Sequence, residues 1–213
     1  MAGAEETPAA SFMRFGSISA ILAGVMGLLY SVAFVAWLKV QGLSPDTRDM
    51  LVGLYSTFLL LGAVFTGAAL LAFYFRLRET DAGFALWGLV LGTIGAFGAL
   101  VHGGYDLGTL LTPATGSSGA SPNQTDPRGL LTFGVAGLGL FVMSWLASRN
   151  PHFPKNFAYL GYLAALLLVI IYLGRLIIQD PNNLLLTIPA ILAGLIVNPA
   201  WYIWLGTLLR REA

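Results

Sequence analysis

Five residues have the types and spacing to do chemistry inside an otherwise apolar chain. His102, Tyr105 and Asp106 stand in the stretch "LVHGGYDLG", Leu100 to Gly108, while Tyr172 and Arg175 lie near the end of a second apolar run. His102 and Asp106 are four residues apart and therefore share one helical face. With Asp106 paired to Arg175 and Tyr105 or Tyr172 beside them, the five would form a polar pocket for a ligand or an ion. Ionisable groups that face a bundle interior are costly and mark ligand, ion or proton routes. A structural reading competes: Asp106 and Arg175 reach headgroup water, and any pair they form only ties helices together. Asp106 falls about 36 Å along its span at 1.5 Å per residue, beyond a hydrocarbon core of about 30 Å, so the charges are expected at the interface. His102 lies deeper.

Other chemistries find less support. One imidazole can ligate a haem or chlorophyll, and Gly103 and Gly104 would leave room beside a flat macrocycle, but the second histidine, His152, belongs to the loop "RNPHFPKN" on the opposite side. The expectation is no resident cofactor. Too few nitrogen and oxygen ligands gather for a metal site. The chain contains no cysteine, which removes disulfides, iron–sulfur clusters and thiol nucleophiles. Ser, His and Asp do not converge at usable depth, no phosphate-cradling glycine loop is present, and a non-enzyme is expected. In "VNPAWYIW" the triplet Asn198-Pro199-Ala200 resembles that of aquaporins, which however carry two such triplets on half-helices. Asn198-Pro199 with Tyr202 resembles the Asn-Pro-x-x-Tyr of seven-helix receptors, which needs a helix this chain lacks. Pro199 cannot donate to the Leu195 carbonyl, so a kink is expected there, with Asn198 and Pro199 in a packing role.

The elements that must position these residues follow from composition. Of 213 residues 57% are hydrophobic and 10% charged, against about a quarter charged in soluble domains, so the solvent is lipid. Net charge is +1 and the basic residues are scattered, which gives no electrostatic footprint for nucleic acid. A membrane-crossing helix needs about 20 apolar residues, and six stretches qualify, near 15–38, 46–75, 82–108, 129–147, 157–179 and 184–208. The fold class is thus all-α, a single transmembrane domain of six helices. Ser44-Pro45-Asp46 reads as N-cap, first-turn proline and dipole-favoured acid at the start of the second. Seven basic residues (Arg14, Arg76, Arg78, Arg149, Lys155, Arg210, Arg211) fall on the side of both termini and three (Lys39, Arg48, Arg128) on the other, so cytoplasmic termini are expected. "TPATGSSGASPNQTDPRG" reads as a flexible outer loop.

Small residues let helices approach closely in lipid. Ala85, Gly88, Gly92, Gly95, Ala99, His102 and Asp106 form one stripe of the third span, which makes that helix the expected centre of the bundle. Gly161, Ala165, Leu168, Tyr172, Arg175 and Gln179 form another in the fifth, and Ala20, Gly24, Gly27 and Ser31 a third in the first. The closing "NPAWYIWLGTLLRREA", with the early "GLLYSVAFV", resembles the multi-helix inner-membrane proteins of bacteria grouped under domains of unknown function. That resemblance implies a bacterial polytopic inner-membrane protein and supplies no catalytic residues. Three functions follow as expectations: a non-catalytic accessory subunit or small binding protein, whose partners are the lipid bilayer and other membrane subunits; a small-solute or ion transporter with an outward-facing polar pocket; and, third, a haem- or pigment-binding protein.

Overall fold

The structure is a computed structural model that describes residues 10–112, 127–178 and 183–211. Gln179 and most of the long polar loop lie outside the described residues. Six helices are long and apolar enough to cross a membrane: α1 Ala10–Lys39, α2 Pro45–Leu77, α3 Ala82–Leu111, α4 Pro127–Arg149, α5 Lys155–Ile177 and α6 Leu184–Arg211. Among the described residues there is no strand. The expected six-span, all-α bundle is the observed one; the helices depart from their expected ends by at most five residues, most running longer and α5 stopping at Ile177 before the expected 179.

The ends are set by caps. The Ser44 hydroxyl accepts from the Thr47 backbone N–H at 3.2 Å, with Pro45 at the first helical position, and Asp81 does the same for Phe84 at 3.0 Å to start α3. Asn183 opens α6 by accepting from Leu185 at 2.9 Å. In each case a short side-chain acceptor satisfies a donor the helix leaves without a partner.

Each helix packs antiparallel against its chain neighbours, and α6 closes onto α1. Register is legible from the glycines. A methyl added at Gly88 would meet Met143, one at Gly95 would meet Ala136 and one at Gly98 would meet Leu131, so α3 and α4 run in opposite senses at backbone contact distance. The ring is closed where Gly24 abuts the Pro199 carbonyl and where the Ser17 hydroxyl donates to the Gly206 carbonyl at 2.8 Å. α3 is therefore a member of a ring and not its centre. Its small stripe is used for close packing on α4 and, at Gly92, on Leu70 of α2, while Phe84, Leu86, Trp87, Val90, Ile94, Phe97 and Val101 cover its outer, lipid-type face.

The two halves of the ring differ. Towards the side of the termini it is packed shut by Phe73, Leu77, Met143, Leu146, Phe157, Trp201 and Leu205, each fully buried. Trp201 stacks on Phe157 at 5.2 Å between centroids, and Phe73 meets both edge-on. The loops on this side are tied by Asn150, 4% exposed, whose amide donates to the Arg76 carbonyl at 3.1 Å and to the Thr80 hydroxyl at 2.9 Å while its oxygen accepts from the His152 N–H. Towards the opposite side the helices surround a central space.

Two helices change winding beside that space. Leu130–Val135 of α4 and Leu192–Val197 of α6 are π-helical. In α6 the proline disturbance expected at Pro199 takes this form: the wider turn precedes Asn198, whose N–H reaches back to the Ala193 carbonyl. A second helical proline, Pro189, lies one turn before the wide segment. Single π-turns accommodate a residue whose hydrogen bonding the α-helix cannot satisfy.

Candidate functional site

The central space is a cavity of about 980 Å³ lined by residues of all six helices. On α2 its lining runs from Arg48 and Val52 at the side remote from the termini to Leu70. Val52 to Leu70 spans about 27 Å of helix. The lining thus follows α2 over most of its length, and the cavity extends along the helices as a shaft. Its floor is made by Leu70, Gly92, Leu140, Pro199 and Tyr202, directly above the aromatic plug, since Trp201 and Phe73 adjoin these floor residues in sequence.

The shaft exists because small residues line it where bulky ones would fill it. Gly27 of α1 faces the lining and has no atom within 4 Å of an added Cβ. Ala63, Ala96 and Ala99 continue the same economy of volume on the other helices. The expected small stripe of α1 thus splits in function: Gly24 serves packing, and Gly27 serves the open space.

Charged groups gather in the upper part. The Arg128 guanidinium donates to Asp106 Oδ1 at 3.1 Å and lies over the Tyr105 ring, 4.0 Å from its centroid. His102 Nε2 stands 3.6 Å from Asp106 Oδ2, within charge-interaction range though long for a hydrogen bond. His102 and Asp106 side chains are 8% and 15% exposed. Arg175 holds its guanidinium 6.0 Å from the Phe133 centroid and beside Gly129. Among the described residues no group of three or more His, Asp or Glu side chains is arranged to hold a metal ion.

The expected site residues fall as follows. His102, Tyr105, Asp106 and Arg175 all line the shaft, and so do Asn198 and Pro199 at its floor. Arg128, which reaches in from the start of α4, forms an ion pair with Asp106 at 3.1 Å. Tyr172 is not in the lining. Its ring packs against Gly134, where an added methyl would come within 2.9 Å, so a glycine notch on α4 holds it away from the pocket. α3 and α5 face each other across the shaft, which is why His102 and Arg175 can share it without helix–helix packing between them.

Sequence reasoning missed the aromatic wall. Tyr30, Phe34 and Trp37 of α1 meet Tyr55 of α2 with centroids 5.5 to 6.2 Å apart, in stacked and edge-on pairs. All four line the shaft. Their spacing of four and three on α1 is a helical stripe, adjacent to the Gly27 and Ser31 stripe, and that juxtaposition was the available signal. Deeper, the Tyr202 hydroxyl is in hydrogen-bonding reach of Thr66. These are neutral polar groups satisfied by one another within an apolar wall. No family model matches the chain, and comparison with curated proteins and with solved structures likewise gives no match.

Proposed function

We propose that the protein is a non-catalytic, multi-pass membrane protein of a bacterial inner membrane that receives a small, mainly apolar molecule into its shaft from the outside. The carrying observation is the cavity of about 980 Å³, whose lining reaches Lys39, Arg48 and Thr109 on the side remote from the termini and ends above a buried aromatic plug on the other. Its volume is at the upper end of small-molecule sites, which are concave, mostly apolar and carry a few convergent polar groups. The outward direction rests on the seven basic residues of the terminal side against three opposite. The small-residue faces are consumed within the ring, and the outer surface of α3 carries bulky apolar side chains suited to lipid, which supports a binding protein over an accessory subunit.

Gly27→Leu tests this reading. The new side chain enters open space and replaces glycine by a better helix former, so the variant keeps its thermal stability in detergent while its apolar atoms occupy the shaft. Binding of a long-chain apolar ligand to the purified protein is expected to fall at least tenfold. Gly67→Leu, placed outside the lining where an added Cβ also meets nothing, is the control and leaves binding unchanged. Equal binding by all three proteins contradicts the proposal.

One observation favours transport as a second reading: the π-helical and proline break of α6 at Leu192–Pro199 runs down the shaft wall to its floor and ends just before the plug residue Trp201. A hinge there would let the plug swing aside. Flux of the bound molecule across proteoliposome membranes, in addition to binding, separates a transporter from a receptacle.

A further inference from the structure

We infer that the shaft is loaded from the side, through a slot between the outer parts of α1 and α6, by a lipid-dissolved molecule that carries a hydroxyl group. This rests on the binding function proposed above and names its ligand class and its route. From the side of the termini upwards, α1 and α6 follow a regular seam. Gly206 lies against Ser17, Gly24 against Pro199 and Gly194 against Ser31. The same faces continue one and two turns further with Val35 and Leu38 on α1 and with Ala190 and Thr187 on α6, at spacings of three and four. There the seam parts. The outer part of α6, Leu184–Ile191, is packed on α5 rather than on α1, with Leu186 over Gly174. Pro189 and the wide turn Leu192–Val197 permit this lean, since helices bend at such places.

The parted residues Val35, Leu38, Thr187 and Ala190 line the shaft, and Ala190 is exposed. The described helices packed on α1 are α2 and α6, so no third helix covers the gap. On either side of it stand the exposed Val32, Leu185 and Ile188, a surface that lipid covers, so the slot gives onto the bilayer. A molecule already dissolved there reaches the shaft without crossing water. What it meets inside selects its polar part. Thr132 and Asn198 line the shaft, and Thr132 Oγ1 and Asn198 Oδ1 are buried without a hydrogen-bond partner, a cost that a bound ligand relieves. Thr132 lies within the wide turn Leu130–Val135, and Asn198 directly follows Leu192–Val197; such turns are frequent at functional sites. The amide oxygen accepts only, whereas the threonine hydroxyl donates or accepts. A hydroxyl can answer either group, and an ether or a ketone cannot donate to Asn198 Oδ1.

Binding of hexadecanol and of hexadecyl methyl ether to the full chain in lipid nanodiscs tests the inference, with the fluorescence of Trp37, which lines the shaft, as the reporter. The signal that counts is the part lost in Gly27→Leu nanodiscs. Ala190→Phe, at the slot, is expected to slow association and dissociation of the alcohol at least tenfold each while the equilibrium constant stays within threefold. Thr109→Phe, at the remote end of the lining, and Ile196→Phe, exposed and outside the lining, are expected to leave both rates unchanged. The alcohol is expected to bind at least tenfold more tightly than the ether. The double variant Thr132→Val with Asn198→Leu removes two groups that hold no hydrogen bond in the fold, and is expected to bring alcohol and ether within threefold of each other. Unchanged rates in Ala190→Phe, a loss of affinity there without slower association, or equal slowing in Thr109→Phe overturns the lateral route. Equal binding of alcohol and ether, or a preference that survives the double variant, overturns the hydroxyl. Each of these results leaves the binding chamber standing, whereas absence of any Gly27-sensitive binding removes the chamber itself.

Discussion

At Asp106 the two carboxylate oxygens face different partners, Arg128 at 3.1 Å and His102 at 3.6 Å, with the side chain 15% exposed. Removing one charge from such a pair leaves the other desolvated without compensation, whereas removing both is far less damaging. Asp106→Asn is therefore expected to lower unfolding stability in detergent by about 2 kcal/mol. The double variant Asp106→Asn with Arg128→Gln should lose at least about 1 kcal/mol less than the sum of the singles. Additive losses in that cycle would show that the pair is not coupled. Half of this arrangement was legible beforehand. A spacing of four places His102 and Asp106 on one face whatever the rest of the fold does, but Arg128 arrives across a long polar connection, and nothing in residue type says where such a connection lands. Tyr172 illustrates the opposite failure: helical periodicity put it on a polar stripe, and the Gly134 notch, a feature of another helix, took its ring elsewhere.

Glycines of identical sequence appearance carry opposite duties in these helices. A methyl at Gly95 would lie 2.5 to 3.0 Å from the Cβ, Cα and N of Ala136, and one at Gly27 would touch nothing. Gly95→Ala must push α3 from α4, and overpacking of this kind costs about 1–3 kcal/mol. A lowered melting temperature for Gly95→Ala beside an unchanged one for Gly27→Leu is the expected pair of thermal-unfolding results; matched losses would mean that Gly27 is packed after all. The spans themselves were readable, because charged and proline-rich breaks interrupt apolar runs of sufficient length, and Ser44-Pro45 marked its helix start through cap chemistry. The place of α3 was not readable. A stripe of small residues states that another helix comes close, not whether it comes from the centre or from the side. The π-helical turns were invisible for a related reason: Pro199 announces a lost hydrogen bond, but whether the helix bends or widens is decided by tertiary packing, and here Gly24 of α1 abuts the Pro199 carbonyl.

For the molecule as a whole, the decisive asymmetry lies between the two ends of one ring. Large side chains, Trp201, Phe73, Phe157 and Met143, meet at the terminal side and leave no room. Small ones, Gly27, Ala63, Ala96 and Ala99, line the mid-depth and leave a shaft. Closure of α6 onto α1 makes this asymmetry a container, and closure is the least legible property of the sequence, since Ser17 and Gly206 are joined by geometry alone. The absence of native cysteine permits a clean measurement. Gly27→Cys places the chain's single thiol about 18 Å below the far end of α1, inside the shaft. With sealed vesicles of either orientation and a small, charged, membrane-impermeant thiol reagent, labelling is expected only from the side remote from the termini. Labelling from the side of the termini, or protection from both sides in a folded protein, would contradict a shaft that is open at one end and plugged at the other.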